Sequence, residues 1–249
     1  MAASQARKAG LPIINLLRVK GMPILQQLHL EERLLRTSSQ NWCIINDGTT
    51  RPTIVMGVSG KAKELLETDA VLRDEIPVIR RFTGGGTVIV DQGTIFVTFI
   101  CNKDAISGLQ SYPRPIMSWS SLIYKNMFQG IGEFSLREND YVIGNHKFGG
   151  NAQSITKNRN HAEFICRLKE YMSRSDFIDG TMDSVASHFA LRSLDADDIQ
   201  NSSSQFEPSS RILTRQELGE EASMELVGTV SQISYMAAIS STCPTSKIA

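Results

Sequence analysis

The chain has 249 residues, 41% of them hydrophobic, and its 26 Lys+Arg balance 26 Asp+Glu, so the formal charge is zero. That length accommodates one large domain, or one domain and a small appendage, with enough apolar residues to bury a core. A long repeat array and wholesale disorder are excluded. Zero net charge gives no global field for nucleic acid or an anionic membrane, and no apolar run reaches the roughly 18 residues that a membrane helix needs, so neither is an expected partner.

Cys43, Cys101, Cys166 and Cys243 are far apart, with no C-x-x-C pair and no histidine at metal-ligand spacing. Neither a zinc site nor a disulfide framework is expected. The first 30 residues contain no acid and carry Arg7, Lys8, Arg18 and Lys20, a composition shared with organelle transit peptides. A strand over residues 11–19 leaves about ten residues for such a segment. The expected location is cytoplasmic or organellar, in a mitochondrion or plastid.

Along the chain, residues 11–19 predict a first strand, and residues 22–36 predict a helix, with Pro23 in its first turn and Leu25, Leu28 and Leu35 at helical spacing. Ile44-Ile45 and residues 53–56 are apolar runs bounded by Asp47-Gly48 and Gly57, hence strands. Residues 61–72 predict a second helix, and Pro77 hands over to a strand at Val78-Ile79. Residues 87–90 and 94–100 are β-branched and aromatic runs joined by Asp91-Gln92-Gly93, which predicts an antiparallel hairpin with Gly93 left-handed. Residues 116–128 place Ile116, Trp119, Ile123 and Met127 on one face of a core helix, and the glycine-rich residues 144–150 predict a hairpin or a strand-loop rather than a helix. From His161 onward the pattern turns helical: Phe164, Ile165, Leu168, Tyr171 and Met172 mark one helix, and Phe177, Met182, Val185 and Phe189 a second. Residues 201–204 are a polar linker. Thr214 and Glu217 form a capping box, with Leu213 and Leu218 as its hydrophobic staple. The tail from 222 to 249 is poorly patterned.

Two stretches can carry chemistry. Arg80, Arg81, Phe82, Thr83, Gly84, Gly85, Gly86 and Thr87 stand between two predicted strands. Three glycines let the backbone approach a ligand and present N–H groups to a phosphate or carboxylate, and two arginines add charge suited to the same anions. The spacing Gly57, Gly60, Lys61, Ala62 does not make a P-loop, and no G-x-G-x-x-G follows a strand. The second stretch, residues 139–153, holds Asn139, Asp140 and Lys147, and a lysine between glycines at a strand edge can set a point charge beside the same ligand.

Residues 80–88, followed by Asn139-Asp140 and by the lysine-bearing stretch 145–152, resemble the lipoate-protein ligase A family of the wider biotin and lipoate ligase fold. The resemblance is best over residues 11–159 and continues through helices over 160–221. It implies an α/β (α+β) fold of mixed and antiparallel sheets with flanking helices and a helical C-terminal part. It also implies an enzyme that activates lipoate or octanoate with ATP and Mg2+ as an acyl-adenylate. The acyl group then passes to a lysine of a lipoyl domain of a 2-oxoacid dehydrogenase, or of a glycine cleavage H protein. By motif, Arg81, Gly86, Thr87, Val88 and Ile89 bind ATP, and Lys147 contacts the acyl carbonyl and the α-phosphate. Arg80, Thr83, Gly84, Gly85, Asn139 and Asp140 complete the implied adenylate site, with Asp140 as a magnesium ligand. The family's strand after the lysine motif is expected to be missing here, as in an internally shortened chain, which makes an inactive binder the alternative reading. Bacterial members carry a further small domain for which this sequence shows no equivalent, so a partner subunit or a transferase role is also compatible. Biotin ligase shares the fold, but the Arg-Arg-Phe-Thr-Gly-Gly-Gly run fits the lipoate side better.

Overall fold

The computed structural model describes residues 10–138, 140–156, 159–166, 171–200 and 206–223. Two sheets stack with helices between and outside them. The larger has eight strands in the order β11-β1-β2-β6-β10-β9-β8-β7, where β1 is Ile13–Lys20, β2 Asn41–Asp47, β6 Ile95–Asn102, β7 Phe134–Arg137, β8 Asp140–Ile143, β9 His146–Ile155, β10 Arg159–Cys166 and β11 Ala190–Leu194. The smaller has the order β12-β4-β3-β5, with β3 Thr53–Met56, β4 Val78–Arg80, β5 Val88–Val90 and β12 Arg211–Ile212.

Helix α1 (Ile24–Thr37) fills the space between the sheets, with Pro23 as its N-cap residue. Its Ile24 and Leu28 meet Val55, Ile79 and Val90 of the small sheet and Phe96 of the large one, while Leu34 and Leu35 pack on Trp42, Ile44 and Ile100. A buried carboxyl group sits in this layer: Glu31 accepts from Gln27 Nε2 at 2.7 Å and Thr98 Oγ1 at 2.6 Å, as a polar group removed from water must. The opposite face of the large sheet carries Val97, Phe99 and Cys43 against α4 (Pro113–Lys125) and α5 (Arg174–His188), which contribute Ile116, Ile123, Phe177 and Val185. The outer face of the small sheet is covered by α2 (Ala62–Leu65), α3 (Thr68–Arg73) and α7 (Arg215–Ser223). A further helix, α6 (Ala196–Gln200), sends Ile199 into the layer beside α1. Among the described residues no helix is long and apolar enough to cross a membrane.

Several sequence expectations hold and others are corrected. The first strand, α1, the strand at 53–56, α4 and α5 form where their patterns place them. The helix expected over 61–72 is two short ones, α2 and α3. Residues 87–100 do not form a hairpin. β5 pairs with β3 in the small sheet, whereas β6 pairs with β2 and β10 in the large one, and Gly93 is not among the residues of positive φ. The reason is visible in β6, whose first seven residues are all buried: a strand apolar on both faces belongs in the middle of a covered sheet. The tight turn before it, where Gly93 N–H donates to Asp91 Oδ1 at 2.8 Å, carries the chain from one sheet to the other.

The expected loss of a strand after the lysine motif is also corrected. β10 runs antiparallel between β9 and β6 and closes the sheet, where a helix from His161 was expected. Backbone pairing to two neighbours outweighed the helical spacing of Phe164 and Ile165. The C-terminal part is therefore not all helical, since β11 adds in parallel to β1. The linker at 201–204 and residues 224–249 of the tail lie outside the described residues.

Candidate active site

The glycine-rich loop is built from its base upward. Arg81 N–H donates to Met56 O at 2.9 Å and Val58 N–H to Thr83 O at 2.9 Å, so the loop is fastened to the chain leaving β3. The approach is close enough that a Cβ on Gly57 would stand 2.2 Å from Gly85 O. Gly85 itself has φ +104°, and its Cβ would stand 2.7 Å from Arg81 Nη2, so position 85 needs glycine twice over.

Arg81 is 3% exposed. Its guanidinium points back into its own loop, with Nη2 donating to Gly84 O at 2.9 Å and Gly86 O at 3.0 Å. In a trans peptide C=O and N–H are antiparallel, so turning these two carbonyls inward turns the N–H groups of Gly85 and Thr87 the opposite way. Arg81 thus turns backbone donors outward at the exposed Gly85 and the partly exposed Thr87, an arrangement suited to an anion. On either side of the glycines, the hydroxyls of Thr83 and Thr87 are buried with no hydrogen-bond partner among the described residues. Arg80 donates to the carbonyls of Val58 and Gly60 and holds the neighbouring turn. Val88 and Ile89 enter β5, with Ile89 exposed.

Lys147 is placed by a β-bulge. In the β8–β9 hairpin, Val142 opposes Lys147 but Tyr141 opposes Gly149, so one extra residue is inserted on β9. Simple alternation would put Lys147 and Ala152 on opposite faces; the inserted residue brings Lys147, Gly150 and Ala152 to the same one. Phe148 turns to the other face and packs on Phe128 and Phe134 with ring centroids 5.0 and 6.2 Å away, which anchors the hairpin. A Cβ on Gly85 would lie 3.8 Å from the Ala152 Cβ, so the glycine loop rests on the face from which Lys147 projects.

Lys147 Nζ lies 2.8 Å from Asp140 Oδ1, both side chains partly in solvent. Such a pair is worth about 0–1 kcal/mol, so a more highly charged ligand can redirect the ammonium. Asp140, the residue suggested for magnesium, is thus engaged by a cation, and among the described residues no group of three His, Cys, Asp or Glu could hold a metal. Asn139 lies outside the described residues. Cavities of about 440 and 300 Å³ lie away from the glycine loop, around Trp119 and Phe189 and around Asn15 and Asn102.

The lipoyl protein ligase A/B catalytic domain matches this chain over residues 23–187, a stretch that takes in both the glycine loop and the lysine hairpin. The chain belongs to this family. Among its curated relatives, the inactive lipoate–protein ligase 2 of Plasmodium falciparum is 26% identical over 219 residues, covering 64% of this chain and 56% of that protein. Lipoate–protein ligase 1 of Staphylococcus aureus is 30% identical over 111 residues, covering 44% of this chain and 32% of that protein. The chain therefore spans about half the length, or less, of these relatives. Among solved structures, a lipoate-protein ligase A bound with ATP superposes with a TM-score of 0.63 at 15% identity, over 77% of this chain and 92% of that one. A bi-partite lipoate protein ligase described with its E2 lipoyl domain, from Thermoplasma acidophilum, gives 0.63 at 14%, over 77% and 90%. These likenesses establish the lipoate ligase fold for a sequence that shares few residues with either.

Sequence reasoning flagged the glycines, both arginines and Lys147. It missed the role of Gly57, read there as a strand boundary and as part of a failed P-loop, and it missed the contacts that residues 209–213 make at the loop's base. Both involve pairs distant in sequence, for which no local signal exists.

Proposed function

We propose that this protein attaches lipoate or octanoate to a specific lysine of a lipoyl-domain protein through an acyl-adenylate. The observation that carries this reading is the glycine loop: Arg81 turns its carbonyls inward, two buried hydroxyls with no partner among the described residues flank it, and it rests on the face that bears Lys147. In the first step an oxygen of the acid's carboxylate attacks the α-phosphorus of ATP and pyrophosphate leaves. In the second the acceptor lysine amine attacks the acyl carbonyl and AMP leaves. Two anions must meet in the first step, and the backbone donors of Gly85 and Thr87 stabilise the charge that develops at phosphorus. Lys147, released from Asp140, lies between carboxylate and phosphate. Arg80 and Arg81 act by holding the loop, so their contribution to anion binding is indirect. Magnesium, where used, supplies charge neutralisation on the phosphates. The catalytic domain in this reading spans residues 11–221, and an accessory domain or subunit can supply further contacts.

The test is the intact mass of a purified lipoyl domain after incubation with the protein, ATP, magnesium and either acid. A gain of one acyl group supports the reading, and an unchanged mass refutes it as a ligase. A second reading, binding of the adenylate without turnover, is favoured by the name of the Plasmodium relative. It predicts that a non-hydrolysable lipoyl-adenylate analogue raises the melting temperature, by RT ln(1 + [L]/Kd) in stability, while the acceptor mass stays unchanged.

A further inference from the structure

Residues 209–213 lie beyond the stretch that matches the family, yet they grip the base of the glycine loop. Ser210 is 2% exposed, and its Oγ accepts the N–H of Phe82, one residue after Arg81, at 3.0 Å. β4 ends at Arg80, so Phe82 lies just past the strand, and the Ser210 hydroxyl takes its N–H there. Ser210 is itself held from the other side. Its carbonyl meets His29 Nε2 at 2.8 Å, and the preceding Ser209 donates its N–H and Oγ to Glu32 at 2.8 and 2.6 Å. Glu32 is 1% exposed, so its carboxylate depends on such donors, and both His29 and Glu32 project from α1. Downstream, β12 pairs with β4 and Leu213 N–H donates to Val78 O at 2.8 Å. The segment is thus fixed at both ends, with the Ser210 hydroxyl at its middle aimed at the loop.

We propose that Ser210 is a positioning residue for the glycine-rich loop, clamped by α1 through His29 and Glu32, so that the geometry of the anion-binding amides depends on a C-terminal segment. Loss of the hydroxyl removes the bond from the Phe82 N–H to Ser210 and loosens the loop between its fastenings at Arg81 and Thr83. The inference rests on the ligase reading only for its functional consequence; the mechanical part concerns the ligand-free chain.

The experiment measures amide hydrogen exchange of the ligand-free protein by mass spectrometry, comparing wild type with Ser210→Ala, Ser210→Thr and Ser184→Ala. The last removes a hydroxyl bond to Ile123 O within the helical layer, away from the loop, and controls for general loosening. Ser210→Ala should speed exchange in peptides covering 81–87 about fivefold, as loss of one neutral hydrogen bond implies, with β2 and β6 unchanged. Ser210→Thr should restore protection, and Ser184→Ala should leave the loop alone. Unchanged loop exchange in Ser210→Ala, or equal acceleration in Ser184→Ala, would overturn the proposal. In the acyl-transfer assay Ser210→Ala should raise the KM for ATP several-fold while the KM for the lipoyl domain stays constant; a uniform fall in kcat alone would count against positioning. If wild type transfers no acyl group, the ligase reading fails and the exchange data still decide the clamp.

Discussion

Gly57 and Gly85 touch through backbone atoms, which makes them different from the other glycines of the same region. Gly57→Ala or Gly85→Ala should cost about 2 kcal/mol or more, from overpacking at 57 and from a left-handed backbone at 85. Gly84→Ala and Gly86→Ala, whose Cβ positions meet nothing within 4 Å, should change stability by about 0.5 kcal/mol or less. Denaturant melts of the four variants check this, and a large loss in Gly84→Ala would contradict the loop geometry. The sequence displays three equal glycines; their inequality comes from what the fold places beside each. Cysteine tells a similar story. Burial pushes the Cys43 thiol far up, with the neighbouring Cys101 adding to it, so no thiolate forms. Peptide mapping after brief treatment with a thiol reagent should find Cys43 and Cys101 unmodified in the native protein and modified after unfolding.

At the scale of elements, the capping box at Thr214 and Glu217 was legible because its chemistry spans three residues. Glu217 N–H donates to Thr214 Oγ1 at 3.2 Å, and Thr214 N–H returns to Glu217 Oε2 at 2.8 Å. The same carboxylate takes Arg211 of β12, and these contacts lower its pKa from 4.5 to about 2, with the Arg211 hydrogen bond as the largest cause. A depressed carboxylate contributes stability that is fully present above about pH 4.5 and is lost as pH falls toward about 2. The group is exposed, so the effect should be modest and salt-sensitive. NMR titration of the Glu217 carboxyl should give a midpoint near 2, and Arg211→Ala should raise it; an ordinary midpoint in wild type would show that the pair does not persist in solution. Strands β5, β6 and β10 were harder to read. Their sequences give β-propensity or an apolar run, but which sheet a strand joins is set by partners distant in the chain, such as Val55 opposite Val88 for β5 and Cys43 opposite Phe99 for β6.

For the whole molecule, the order of layers decides where stability resides. Phe177 is 0% exposed and stacks on Tyr124 at 5.7 Å, joining α5 to α4 over the large sheet. Phe177→Ala should cost about 3–5 kcal/mol, a large share of the total stability of about 5–15 kcal/mol that a domain has, and should lower the melting temperature without altering the glycine loop. Calorimetry would show it, and a loss under about 1 kcal/mol would mean that the helical layer is not part of the cooperative core. Lys147→Ala belongs at the opposite end of the range. It removes a half-exposed side chain whose ion pair is weak, so the fold should persist and acyl transfer should be lost; unchanged transfer would remove Lys147 from the mechanism.

By itself the sequence determined the pieces: the first strand, α1, α4, α5, the capped α7, the glycine loop and the lysine-bearing hairpin. These rest on periodicity and turn chemistry, which act over a few residues. Only the tertiary structure decided how the pieces meet. It separated β5 from β6 because a strand buried on both faces needs neighbours and cover that a hairpin lacks. It supplied β10 through pairing on both edges, turned Arg81 into its own loop, and used one bulge to bring Lys147 to the face on which that loop rests. The strand placements depend on contacts between residues far apart in the chain, while the Arg81 turn and the bulge are three-dimensional details of short segments that hydrophobic spacing does not record.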